Sequence, residues 1–190
     1  MKIGLVGEAP NDTIAIENLL SKKYKRVNFV TLLNDINGSM LDSTKTLEFL
    51  RNEYLFHKPD LIIFIRDLDS IERGGKSKMA EREKKFNASN RRVDGIGILL
   101  LNIYELEALT IADIDTFNKH YGCSIANIED PMKVVEPKEF LIKATRRGVK
   151  KQYNVSHNPQ LFSLLNFELL KQNCRYFATF IRKFDRAISA

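Results

Sequence analysis

The run Leu61–Ile65 (LIIFI) constrains this chain more than any other segment. A strand with one wet face alternates apolar and polar residues. Five apolar residues in a row fit a strand buried on both faces, as in parallel sheets covered by helices. Lys2–Gly7 (KIGLVG), the VNFVTLL run within Arg26–Leu33, and Ile96–Leu101 (IGILLL) read as three more strands. Between them, Asn11–Lys23 sets Ile14, Ile16, Leu19 and Leu20 at helical spacing, with Asn11 or Asp12 available as a cap. Asp42 or Ser43 opens a second helix that carries Leu47, Phe49, Leu50 and Tyr54 and ends near His57, before Pro59. Glu72–Arg92 reads as a glycine-bearing loop followed by a helix. Strands alternating with helices over the first hundred residues define an α/β fold with a parallel sheet.

From Tyr104 onward the pattern is helical only: Tyr104–Phe117, a turn region Gly122–Pro131, then Pro137–Arg147, Asn158–Lys171 and Asn173–Ile188. With 190 residues and no internal repeat or linker, one domain is expected over 1–190. Its α/β core would span 1–102, with a helical portion, 103–190, packed on it. No apolar stretch approaches the roughly 18 residues of a membrane helix. The N-terminus enters a strand with no secretory pattern, and Cys123 and Cys174 lack a pairing motif, so a cytoplasmic protein with reduced thiols is expected.

Three carboxylates stand where strands end. Glu8 follows the first apolar run, with Asp12 close behind it; Asp67 and Asp69 follow the third run. In an open parallel sheet the carboxyl ends of the strands share one edge, and ligands bind in the crevice outside it. Acids gathered there repel one another unless a cation intervenes, and a hard divalent ion shared with substrate phosphate suits them. Residues two apart in an extended segment point to the same side, so Asp67 and Asp69 are expected to face one ion together. The plainer alternatives are a helix cap for Asp67 and an arginine partner for Glu8.

The net charge is +6 and the isoelectric point about 9.3, a balance that suits a polyanionic partner. Between Glu72 and Arg92 stand Arg73, Lys76, Lys78, Arg82, Lys84, Lys85, Arg91 and Arg92 against three glutamates. Lys76, Lys78, Lys84 and Lys85 are the expected contacts to substrate phosphate. Lys143, Arg146, Arg147, Lys150 and Lys151 form a second basic cluster. Either could instead be a solvated face.

A first strand ending in Gly7-Glu8 before a helix, and a third ending in Asp67-Leu68-Asp69, resembles the TOPRIM (topoisomerase–primase) fold family. The chain looks most like the small stand-alone TOPRIM-like proteins of prokaryotes. The segment Ile103-Tyr104-Glu105-Leu106-Glu107-Ala108-Leu109 leading to Ala112-Asp113, and later Pro137-Lys138-Glu139, extend the resemblance over nearly the whole chain. Two positions depart from it: Ala9, where the family usually has a second glycine, and Leu109, where tryptophan is frequent.

The resemblance implies a TOPRIM-like parallel sheet flanked by helices and Mg2+- or Mn2+-dependent phosphoryl transfer, most simply nuclease cleavage of nucleic acid. Glu8 would be the general acid/base, and Asp67 and Asp69 metal ligands. Glu105 and Glu107 follow the fourth strand. Two apart on a helix, they cannot both face one spot, so Glu105, nearer the strand end, is taken as the third ligand; the alternative is a helix cap. The resemblance also implies an ATPase partner, as in phage-defence systems. Its other-class rival is a non-catalytic binding or regulatory subunit of such a complex. The length leaves no room for primase or topoisomerase modules. A phosphoacceptor receiver domain would pair its acids after the first strand, the opposite of this chain.

Several further patterns take the plain reading. Gly74-Gly75-Lys76-Ser77 looks like the end of a P-loop, but Ser70 stands where the first glycine is required. His57, His120 and His157 share no metal-ligand spacing, although His157 lies in a basic stretch where it could meet a phosphate. Phe177, Phe180, Ile181, Phe184 and Ile188 form a helical stripe that faces a core.

Overall fold

A computed structural model of the chain describes every residue except 9, 35, 42, 72–75, 147–149 and 190. Four strands, β1 (Lys2–Val6), β2 (Asn28–Thr31), β3 (Leu61–Asp67) and β4 (Gly97–Asn102), form one parallel sheet in the order β2-β1-β3-β4. Its register sets Leu5 beside Thr31 and Ile63, and Asp67 beside Asn102. All four expected strands are present. The third is longer than LIIFI: Arg66 and Asp67 continue the ladder against β4, so Asp67 ends the strand instead of following it.

Side-chain alternation divides the sheet between two apolar clusters. Ile3, Leu5, Leu61, Ile63 and Ile65 face a cluster shared with helix α1 (Asn11–Ser21) and the C-terminal helices. Val6, Ile62 and Phe64 face a second cluster, joined by Leu50 of α3 (Thr44–His57) and by Val93, which follows α4 (Lys76–Arg92). A four-residue helix α2 (Gly38–Leu41) precedes α3. The β1→β2 connection runs one way along the sheet, and β2→β3 and β3→β4 run the other. Right-handed crossovers therefore put α1 on one face and α3 and α4 on the opposite face.

Ser43 caps α3 by accepting from Thr46 N, which settles the alternative with Asp42; Asp42 itself lies outside the described residues, as do Ala9, Arg73, Gly74, Gly75 and Arg147. After β4 the described residues form only helices and 3-10 turns: α5 (Glu107–Ala112), α6 (Ile114–Tyr121), α7 (Pro137–Ala144), α8 (Asn158–Leu164), α9 (Phe167–Asn173) and α10 (Arg175–Ser189). Two expected helices are each broken in two. Asp113, at φ −129°, ends α5 and caps α6 by accepting from Thr116 N, while its other oxygen accepts from Asn166 N at 2.7 Å. Asn166 does the same between α8 and α9, accepting from Glu168 N and Leu169 N. Short polar side chains compete for backbone N–H groups, so they favour caps over helix interiors. Helix α7 stops at Ala144, short of the expected Arg147, where the Thr145 hydroxyl donates to Leu141 O.

The phenylalanine stripe of α10 is core. Phe177, Phe180, Ile181 and Phe184 are buried in the same cluster as Ile3 and Leu5, which ties the C-terminal helices to the sheet. Among the described residues no helix is long and apolar enough to cross a membrane.

Candidate active site

The strand order reverses direction between β1 and β3, and a crevice opens at that switch point outside the carboxyl ends of the strands. Glu8 leaves β1 there. Gly7 lets the two strand ends close up, since a Cβ on it would lie 3.0 Å from Ile65 Cβ. Asp67 ends β3, and Asn102 ends β4 beside it, donating from Nδ2 to Asp67 Oδ1 at 3.0 Å. Asp12 sits one helical turn after Glu8, in the first turn of α1, and its N–H donates to Glu8 O at 3.1 Å.

The crevice has two lobes that share Glu8, Asp12 and Asp67 as a common floor. One, of about 320 Å³, is walled by Lys78, Arg82 and Lys85 of α4 together with Asp69. The other, of about 250 Å³, is walled by Glu105, Glu107, Lys138 and Asn158.

This crowding shows in the acids. Burial, then the neighbouring charge of Asp12 and the weaker ones of Glu107 and Glu8, pushes the Asp67 carboxyl well above the usual carboxylate range; the Asn102 amide opposes the shift. Burial, with Glu107 and Glu8, pushes Asp12 up to about 8. Glu107 is raised by burial and by Glu105 against the hydrogen bonds of Asn158 and Tyr153. Burial and like charge both penalise the ionised form, so the inner acids keep their protons to higher pH than isolated carboxyls do.

Proton counting points the same way for Glu107. Tyr153 Oη lies 3.0 Å from Glu107 Oε1 and 2.7 Å from Asn158 Oδ1, and Asn158 Nδ2 donates to Glu107 Oε1 at 2.9 Å. One hydroxyl proton can serve only one of the two oxygens facing it. A proton on Glu107 supplies the other contact and closes the triangle.

Each expected site residue can now be located. Glu8 and Asp67 meet in the crevice, lining both lobes. Asp69 reaches only the α4 lobe. It shares that lobe with Asp67 as expected, though not by strand alternation, because the extended backbone ends at Asp67 and Asp69 adopts φ 54° on an exposed turn. Its carboxylate is 2.6 Å from Arg82 Nη2, and its carbonyl accepts from Lys78 Nζ at 2.7 Å.

Glu105 lines the second lobe, accepting from Lys138 N at 3.1 Å and pairing with Lys138 Nζ at 3.5 Å. The expectation that only one of Glu105 and Glu107 reaches the site is corrected: both line that lobe. Glu105 precedes α5 and does not share a helix with Glu107, because Tyr104 at φ 63° turns the chain just before it. Of the four lysines, Lys78 and Lys85 line the crevice with Arg82 between them; Lys76 and Lys84 do not. Positions 78, 82 and 85 repeat at helical spacing on one face of α4, and 76 and 84 fall off it.

Residues given no catalytic, metal-binding or phosphate-binding role from the sequence complete the site. Asp12 had a signal, its place four residues after Glu8, and so did Asn102 at the end of an apolar run. Lys138 lies in the Pro-Lys-Glu segment. Tyr153 and Asn158 had none, since they meet Glu107 from 46 and 51 residues away.

Among the described residues, no three acidic, histidine or cysteine side chains form a ready ligand set for a metal ion. The chemistry of the donors nevertheless fits a hard cation. Glu8, Asp12 and Asp67 offer carboxylate oxygens on one floor. Neither aspartate is paired with a lysine or arginine among the described residues. Asn102 Oδ1 is buried beside Asp67 with no hydrogen-bond partner among the described residues. Such a set suits Mg2+ or Mn2+.

Fold and crevice together define an α/β protein with an acid-floored cleft at the switch point of a four-stranded parallel sheet. Residues 11–185 match the family described as a domain of unknown function (DUF4276), and the chain belongs to that family. No curated protein and no solved structure matches it.

Proposed function

We propose that this protein is a Mg2+-dependent phosphoryl-transfer enzyme with a TOPRIM-like core, cleaving nucleic-acid phosphodiesters. The observation that carries this reading is the convergence of Glu8, Asp12 and Asp67 from two strand ends and a helix start, beneath a basic wall. The resemblance of the Gly7-Glu8 and Asp67-Leu68-Asp69 segments to TOPRIM proteins supports it. So does the positive net charge. By the same resemblance, the protein would act with an ATPase partner as the effector of a phage-defence system.

Asp67 and Asp12 would hold the cation, with Glu105 and Asp69 at the edges of the two lobes. When bound, the ion would offset the acids' mutual repulsion and polarise a phosphoryl oxygen. The protein's own groups would do the rest. Lys78, Arg82 and Lys85 hold the substrate backbone against α4. Glu8, the exposed carboxyl of the floor, moves the proton of the attacking water. Asn102 orients Asp67 through its amide.

The experiment is Mn2+ binding followed by electron paramagnetic resonance, alongside cleavage of single- and double-stranded nucleic acid. Binding and cleavage in the wild-type chain, both lost in Asp67→Ala, are the expected result. Metal binding without cleavage would favour the rival, a binding subunit of an ATPase-containing complex. Absence of metal binding would remove the enzymatic reading.

A further inference from the structure

The second basic cluster lies outside the machinery described so far. Lys143, Arg146, Lys150 and Lys151 are exposed, and none has a carboxylate partner among the described residues. Elsewhere on the surface Lys23 pairs with Glu168 at 2.9 Å, Arg51 with Asp94 at 2.8 Å and Lys85 with Glu81 at 2.6 Å. Solvated lysines are ordinary, and their number alone decides nothing. What matters is that two of them are held in place beside histidines.

Tyr121 is the anchor. Lys150 N donates to Tyr121 O at 3.0 Å. Gly122, at φ 71°, ends α6 so closely against the Lys150 side chain that a Cβ there would meet Lys150 Cγ at 3.0 Å. Lys151 Nζ lies 5.2 Å from the centre of the Tyr121 ring. The His157 ring stacks on the same tyrosine at 6.1 Å, and the His120 ring meets its edge at 4.9 Å. The carbonyl end of α6 offsets only a fraction of a unit charge.

The tautomer of His157 follows from its partners. Asn154 N–H donates to His157 Nδ1 at 3.3 Å, so Nδ1 is an acceptor; the Tyr121 hydroxyl, 2.9 Å away, must donate to it as well. The ring proton therefore sits on Nε2, which has no partner among the described residues. Burial, and then the Lys151 charge, hold both His157 and His120 below the ordinary imidazole range. Cations and an N–H donor thus gather with no anion between them.

The patch adjoins the crevice: Val155 and Asn158, on either side of His157 in the chain, both line the second lobe with Lys138. We infer that Lys150, Lys151 and the Nε2–H of His157 form a phosphate-binding subsite for a backbone phosphate of the strand being cleaved. This rests on the proposed function and extends it, giving the substrate a second foothold beyond the acids, on the side away from α4. Two ammonium groups and one neutral N–H donor supply positive charge and hydrogen-bond donors to the anionic oxygens of a phosphodiester.

Two measurements on the full chain in a chelator test the subsite apart from the metal chemistry. In the first, inorganic phosphate is titrated while the histidine ring resonances are followed by NMR. His157 signals should move and its pKa rise, and both responses should vanish in a Lys150→Gln/Lys151→Gln variant. In the second, affinity for a single-stranded oligonucleotide is measured over a salt series. The double variant should lower the slope of log K against log salt by about 0.7, the share of one phosphate contact on a single strand.

No histidine response to phosphate would overturn the subsite. A response with an unchanged salt slope would overturn its assignment to the strand's backbone. A response in a chain that binds no oligonucleotide at any salt would keep the phosphate site and remove the nuclease reading instead.

Discussion

The two walls of the crevice are built in opposite ways. Helix α4 has no fully buried residue. Its Phe86 meets Phe64 of the sheet edge-on at 5.5 Å, its Asn90 accepts from Gly97 N at 2.7 Å, and its Met79 packs against the α1-side cluster. The opposite wall carries Glu107, Tyr153 and Asn158, each at most 5% exposed and bonded to one another. Phosphate-holding charges thus ride on an element with little apolar anchorage, and the acids are backed by a buried polar network. A reacting group must be held to within fractions of an ångström, whereas a long cation gripping a backbone phosphate tolerates movement.

The largest effect should come from the floor the walls share. Asp67→Asn keeps the shape and removes a charge, and under the proposed function cleavage should fall about a thousandfold or more, since several kcal/mol of metal-assisted stabilisation are lost. Single-turnover rates on purified variants check this; an unchanged rate would place the chemistry elsewhere.

Stability should then separate the walls. Asn158→Ala strands buried partners on Tyr153 and Glu107 and should cost about 1–3 kcal/mol in urea unfolding. Lys78→Gln on α4 should change stability by less than about 0.5 kcal/mol, as for other surface positions. Equal costs would erase the contrast.

A smaller effect is the pH response of the floor. The Asp12 carboxyl has an ordinary value of 3.8 and sits at about 8 in the folded chain. Between those values the folded state binds more protons than the unfolded one, so stability falls as pH rises through the window. Metal-free protein should show a lower Tm at pH 8 than at pH 5, and Asp12→Asn should flatten that trend. Under the proposed function, Mg2+ should raise Tm more at pH 8 than at pH 5. A Tm that climbs from pH 5 to pH 8 in the metal-free wild type would contradict the burial of these acids.

The smallest effect concerns motion. Amides of α4 should exchange with solvent faster than those of α5, whose six residues are all buried, because few apolar contacts oppose local opening of α4. Hydrogen exchange resolved by mass spectrometry reads the difference directly.

The contrast also explains what the sequence could disclose. The four strands were legible because Leu61–Ile65 and its counterparts are short apolar runs between turn signals. Glu8 and Asp67 were legible because strand ends share an edge in a parallel sheet. The helix breaks at Asp113 and Asn166 were not, because apolar spacing continues across both, and only the side chains' appetite for backbone N–H groups marks them. Asp69 reaches the same lobe as Asp67, but from a turn at positive φ and not by the continued extension that the sequence suggested. Tyr153 and Asn158 reach Glu107 by tertiary folding alone, and no local pattern announces such a meeting.

The Glu107–Tyr153 contact has an optical consequence. The chain contains no tryptophan and six tyrosines, so its near-ultraviolet emission is tyrosine emission, with no indole to mask it or drain it by energy transfer. A carboxylate that loses its proton 3.0 Å from a phenol becomes an efficient quencher of that phenol's excited state. Ionisation of the inner acids, whether driven by alkali or by a bound cation, should therefore dim one tyrosine, and Tyr153→Phe should abolish the change. The crevice carries an intrinsic fluorescence gauge of its own protonation, readable without a label or a substrate.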